Sequence, residues 1–96
     1  MQTITLEVQD RAKALLLLEA ALQKQAAYVT LGIEKTRKRL VEFEQKYGCR
    51  LDEVDEVDRT LPRIDPFDRV EWEGESEMLR RLEVEQQVLK TVRVCG

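Results

Sequence analysis

The chain contains no histidine, so the side chain most used as a general base and as a metal ligand is missing. It has one serine, Ser76, and two cysteines, Cys49 and Cys95. Ser–His and Cys–His nucleophilic chemistry therefore lacks its base. Two thiols so far apart suit neither a disulfide framework nor a zinc site, and they read as free thiols in a reducing compartment. The four glycines stand alone at 32, 48, 74 and 96, which excludes a glycine-rich phosphate loop. The longest apolar run, ALLLLEAAL, is broken by Glu19 and is far shorter than the ~20 residues that span a bilayer. The charges ahead of it, Glu7, Asp10, Arg11 and Lys13, do not resemble the basic start of a signal peptide. A soluble, cytoplasmic protein is expected, with no cofactor and no metal.

What is present points to helices. The 96 residues suffice for one small domain, and 43% apolar with 36% charged residues is ordinary for a soluble helical protein. The net charge of −3 conceals an asymmetry. Residues 1–48 carry 8 basic and 6 acidic side chains, whereas 49–77 carry 4 basic and 11 acidic. Such a field suits self-association or a basic protein partner. It disfavours nucleic acid, whose binding depends on neutralising phosphates.

TITLEV (3–8) alternates Ile4, Leu6 and Val8 against Thr3, Thr5 and Glu7, the period of a short strand. Its partner would be a second copy of itself or the tail TVRVC (91–95); the sequence does not choose. From Asp10, a suitable N-cap, a helical pattern continues to Gly48, a suitable C-terminal stop. Ala26, Val29, Ile33, Thr36, Leu40, Phe43 and Tyr47 recur at spacings of 3 and 4, a coiled-coil-like seam. Leu15, Leu16, Leu17 and Leu18 advance about 100° each and so cover most of the helix circumference. The expected elements are a strand over 3–8, a long helix over 10–47 with a bend near 28–32, and a short helix over 51–58. A linker over 59–65 and a long helix over 66–93 follow. Asp65-Pro66 opens that last helix, whose expected stripe is Phe67, Val70, Gly74, Met78, Leu82, Glu85, Leu89 and Val92.

Two long striped helices fold back as an antiparallel helical hairpin, and the fold class is mainly α. A hairpin cannot cover the leucine quartet or both sides of each stripe, so dimerisation into a four-helix-type bundle is expected. The residues assigned to that oligomer interface are Leu15, Leu16, Leu18, Leu22, Val29, Ile33, Leu40, Phe43, Met78, Leu82 and Leu89.

The basic run KTRKR (35–39) reads as a solvated flank of the seam, with no interleaved aromatic to stack on bases. In the acidic cluster, Glu53 and Glu56 have the ExxE spacing of helical pyrophosphohydrolases. The second acidic pair such enzymes use is absent, which makes a metal-dependent nucleotide hydrolase the weakest reading. Asp52, Asp55 and Asp58 complete a solvated acidic face. Arg50 beside Cys49 is expected to lower that thiol's pKa a little. Trp72, the only tryptophan, sits among Glu71, Glu73 and Glu75. It is expected either to anchor a basic partner together with those carboxylates or to fill the gap left by Gly74 inside the bundle. A ribbon-helix-helix DNA-binding autorepressor, with Thr3, Thr5 and Glu7 facing the groove, is the alternative function. Against it, the helix that follows shows no turn in the low twenties.

LGIEKTRKRLVEFEQKYG (31–48) and RVEWEGESEMLRRLE (69–83) resemble a family of small archaeal and bacterial proteins with KT..RL.EFE.KYG and EW.GE.E.L.RLE helices. The likeness covers roughly residues 28–85. Members are similar to the antitoxin halves of toxin–antitoxin pairs whose partner is a compact toxin of the TumE type. The resemblance departs at Cys49 and Arg50, which stand where a Met-Ser pair follows the KYG. It implies a non-enzymatic interaction protein, the antitoxin of such a pair.

Overall fold

The computed structural model describes residues 2–55 and 64–94. Helix α1 runs without interruption over Arg11–Tyr47, so the segment 28–32 introduces no break. Asp10 caps it, its side chain accepting the Lys13 amide at 3.1 Å. Gly48 ends it in the left-handed conformation, φ 66°, with its N–H donating to the Glu44 carbonyl at 2.8 Å. That geometry is cheap only for glycine. A 3-10 turn, Leu51–Glu53, opens the expected 51–58 helix, and Val54 and Asp55 continue it as α-helix. Residues 56–58 and most of the 59–65 linker lie outside the described residues. Helix α2 spans Pro66–Thr91, slightly short of the expected end. Asp65 is its cap, accepting from the amides of Phe67 (2.7 Å) and Asp68 (3.4 Å), and proline occupies the first turn.

No strand forms among the described residues. Residues 2–8 carry no regular structure and are exposed, Ile4, Leu6 and Val8 included. Residues 92–94 likewise form no strand, and Cys95 lies outside the described residues. Among the described residues nothing offers the alternating segment a sheet edge, and an unpaired strand leaves its backbone groups to water.

The two helices form the expected antiparallel hairpin. Tyr47 meets Asp68, Arg39 meets Glu71, and Gln25 meets Glu85. At 1.5 Å per residue α1 is roughly 55 Å long and α2 roughly 39 Å. Since α2 ends about opposite residue 21, the first ten residues of α1 extend past it. The result is a rod of 64 × 23 × 17 Å with a radius of gyration of 19.7 Å. A compact domain of this length would have about 12.5 Å.

On α1 the expected seam faces inward. Val29, Ile33, Thr36 and Phe43 are buried, Leu40 and Tyr47 half-buried, and only Ala26 is exposed. On α2 the inward face differs from the expected stripe. Phe67, Val70, Gly74 and Val92 are exposed. Trp72 is buried, and Asp68, Glu75, Leu79, Leu82, Gln86 and Leu89 line the contact half-buried. The helix is therefore rotated roughly a quarter-turn from the periodic pattern. The cause is the indole. Trp72, 1% exposed, closes the core with Phe43, Val54 and Ile64, and hiding the largest apolar side chain outweighs several valines. Gly74 faces open space, so Trp72 fills no gap there.

Two substitutions test this account by urea denaturation. Gly48→Ala is expected to cost about 1–2 kcal/mol through the left-handed backbone alone. Trp72→Ala is expected to cost about 3–5 kcal/mol. Equal, small effects would contradict the assignment of Trp72 as the core's keystone.

Candidate functional site

The chemistry-bearing side chains gather in two places: an aromatic and ionic cluster at the closed end of the hairpin, and an open groove at its middle. At the closed end the Trp72 ring lies nearly parallel to Phe43 (centroids 5.5 Å apart, 13°) and to Tyr47 (5.8 Å, 16°). The Arg39 guanidinium sits 4.3 Å from the Phe43 centroid. It also donates to Glu71 at 2.7 and 3.0 Å and to Glu42 at 3.0 Å. One oxygen of Asp68 accepts from Lys46 Nζ and from the Tyr47 hydroxyl, both at 2.5 Å. The Tyr47 hydroxyl in turn accepts the Asp65 amide at 3.3 Å. One tyrosine thus ties the end of α1 to the cap and first turn of α2.

These contacts shift protons in definite directions. The Lys46 ammonium, then the Tyr47 hydroxyl, hold the Asp68 carboxyl below its ordinary value. Donation to Asp68, then burial, pushes the Tyr47 phenol up. Burial pushes the Cys49 thiol up, with Glu53 and Asp52 adding to it. The lowering expected from Arg50 is absent because that guanidinium lies against Glu53 and Asp52 at 3.7 and 3.6 Å. A thiol held protonated is a poor nucleophile.

The four residues expected to meet a partner lie in different settings. Trp72 is buried beneath the surface it was expected to adorn. Glu71 is taken by Arg39, Glu73 by Arg69 at 3.2 Å, and Glu75 is half-buried in the groove. Within the acidic cluster, Glu53 accepts the Arg50 amide at 2.9 Å, and Asp55 pairs with Arg69. Glu56 and Asp58 lie outside the described residues. No group of three or more metal-ligating side chains converges among the described residues. The KTRKR run is dispersed: Lys35 borders the groove, Thr36 is buried, Arg37 reaches Glu83 at 3.7 Å, and Arg39 turns to Glu71. For the DNA reading, Thr3, Thr5 and Glu7 are exposed on an unpaired segment, and α1 has no turn in the twenties.

Of the residues assigned to an oligomer interface, Val29, Ile33 and Phe43 are already consumed inside the hairpin. Leu15, Leu18, Leu22, Leu40, Leu82 and Leu89 are half-buried, and Leu16 and Met78 are exposed. The groove has a volume of about 500 Å³ and is bordered by Tyr28, Leu31, Gly32 and Lys35 of α1 and Glu75, Met78 and Leu82 of α2. A Cβ on Gly32 would lie 3.1 Å from Leu82 Cδ1, so the glycine lets Leu82 rest on the α1 backbone. Tyr28 and Leu31 escaped the sequence reading because lysines interrupt their stripe. The available signal was the spacing of Leu17, Lys24, Tyr28, Leu31 and Lys35, which marks a second helical face.

No family model, curated protein or solved structure matches this chain. Among the described residues no helix is long and apolar enough to cross a membrane.

Because Asp68 titrates below its unfolded value, it adds stability that is fully present above the ordinary carboxylate range. That stability is lost as pH falls through its depressed folded value. Asp68→Asn is therefore expected to be less stable than the natural chain at pH 7, with the gap closing on acidification. A gap constant from neutral to strongly acid pH, in urea titrations at several pH values, would contradict the pairing.

Proposed function

We propose that this chain is a non-enzymatic protein–protein interaction module that works as a self-associated helical bundle. In the form its resemblance implies, it is the antitoxin that holds a small basic toxin. The observation carrying this reading is the surface left uncovered by one copy. The chain exposes 8211 Å², whereas a compact monomer of its 11.2 kDa mass would expose about 5,700 Å². The difference exceeds the ~800 Å² per partner of a standard interface. Leu16, Leu17, Tyr28, Phe67 and Val70 are among the exposed apolar side chains, and soluble monomers rarely leave so many uncovered together.

The acidic stretch 49–77 supplies the chemistry for a basic partner. With Trp72 withdrawn into the core, recognition falls to carboxylates that remain more than half exposed, such as Asp52, Glu53 and Glu73. Such rim charges set association rate and salt dependence more than affinity.

Co-expression with the product of the adjacent gene tests the reading. Co-purification that weakens with salt, and relief of that neighbour's growth inhibition, are expected. A neighbour that neither co-purifies nor inhibits growth would count against it.

A further inference from the structure

The large apolar side chains that α1 leaves exposed are Leu16, Leu17, Tyr28, Leu31 and Val41. At about 100° per residue, all five fall on the half of the helix turned away from α2, as do the exposed Ala20 and Ala27. Leu17, Ala20, Lys24, Ala27 and Leu31 recur there at spacings of 3 and 4, the stripe of a second helix–helix seam. Lys24 is the one charge in that stripe, and Leu17 and Leu31 stand seven residues to either side of it. The other faces are crossed by ion pairs. On the outer face of α2, Glu77 with its partners Arg80 and Arg81 separates Val70 from Val84 and Val88. The groove side carries the Arg39–Glu71 and Lys46–Asp68 pairs, and the side opposite it Arg37–Glu83 and Arg69–Glu73.

From this pattern we infer that the outer face of α1 is the seam between two copies of the chain, packed antiparallel about a two-fold axis beside Lys24. The inference rests on the self-association proposed above and assigns its face and direction. The occupant is a second copy because the stripe is complementary to itself. Turned end for end about Lys24, it lays Leu17 on Leu31 of the other copy and Leu31 on Leu17, with Ala20 and Ala27 between them. The overhanging start of α1, which its own α2 does not cover, then rests on residues 28–37 of the other copy, where the hairpin is complete. Charge agrees at both ends of the contact. Asp10 and Lys13 of one copy come against Glu34, Lys35 and Lys38 of the other, so each carboxylate faces a lysine. Glu34, Lys35 and Lys38 form no ion pair among the described residues, and Lys13 only approaches Asp10 at 3.9 Å. The one opposed element is Lys24 against its own copy at the axis; a single polar residue in such a seam specifies register at a cost in stability. A parallel pairing would set every charge of the stripe against its own kind. The antiparallel contact is isologous and closed.

Cysteine cross-linking of the full chain tests the seam, with Cys49 and Cys95 replaced by alanine. Residues 17 and 31 lie about 21 Å apart along one helix, and a disulfide needs Cα atoms within about 7 Å. Any 17–31 bridge must therefore join two copies. Leu17→Cys with Leu31→Cys is expected to give a covalent dimer on mild oxidation, and Leu17→Cys alone to give none. A dimeric mass by light scattering with 17–17 bridges, or with no 17–31 bridge, would overturn this seam while leaving self-association standing. A well-folded single copy would overturn both. Leu31→Glu and Val84→Glu, on the outer faces of α1 and α2, give a second reading. The first is expected to halve the mass and the second to leave it unchanged; the reverse, or equal behaviour, would reject the α1 face.

Discussion

A two-helix hairpin has one internal seam, and this chain carries apolar surface for two. That constraint governs everything else in the molecule. With α1 about ten residues longer than α2 can cover, no rotation of the helices buries Val29, Ile33 and Phe43 together with Leu17, Tyr28 and Leu31. The chain hides the first set within itself and leaves the second outside. Its function is accordingly read from the uncovered surface, and the polar side chains of the closed end are satisfied by one another.

The choice of which set goes inside is made at the closed end. Trp72 stacks on Phe43 and Tyr47, and the Tyr47 hydroxyl binds both Asp68 and the cap residue of α2. Large flat rings bury more area per residue than aliphatic side chains and prefer offset parallel arrangements. They therefore set the rotation of α2, which turns Phe67, Met78 and Val70 toward solvent. The closed end supplies the hairpin's stability; the open middle and the α1 overhang keep apolar side chains uncovered.

The sequence made the helices, their caps and the hairpin legible. Asp10, Gly48 and Asp65-Pro66 mark their ends by local chemistry that needs no tertiary contact. The α1 seam was legible because six of its seven positions face one neighbour. The α2 face was not, because two apolar stripes share that helix and periodicity alone cannot say which one packs. Only the reach of Trp72 decides it. The placement of Trp72 was open for the same reason, since a tryptophan among glutamates can face outward or inward until its ring finds Phe43 across the hairpin. The strand expected at 3–8 depended on a pairing partner, and neither it nor residues 92–94 form a strand. Tyr47 with Asp68 had no local signature, because it joins residues brought together only by the fold.

If covering the outer face of α1 is part of folding, stability depends on how much protein is present. The most direct measurement is the thermal midpoint of the natural chain, followed by circular dichroism over a hundredfold range of concentration. A midpoint that climbs steadily with concentration is the predicted result. A midpoint that stays fixed across that range, with full helix content at the dilute end, would show that one copy is complete by itself.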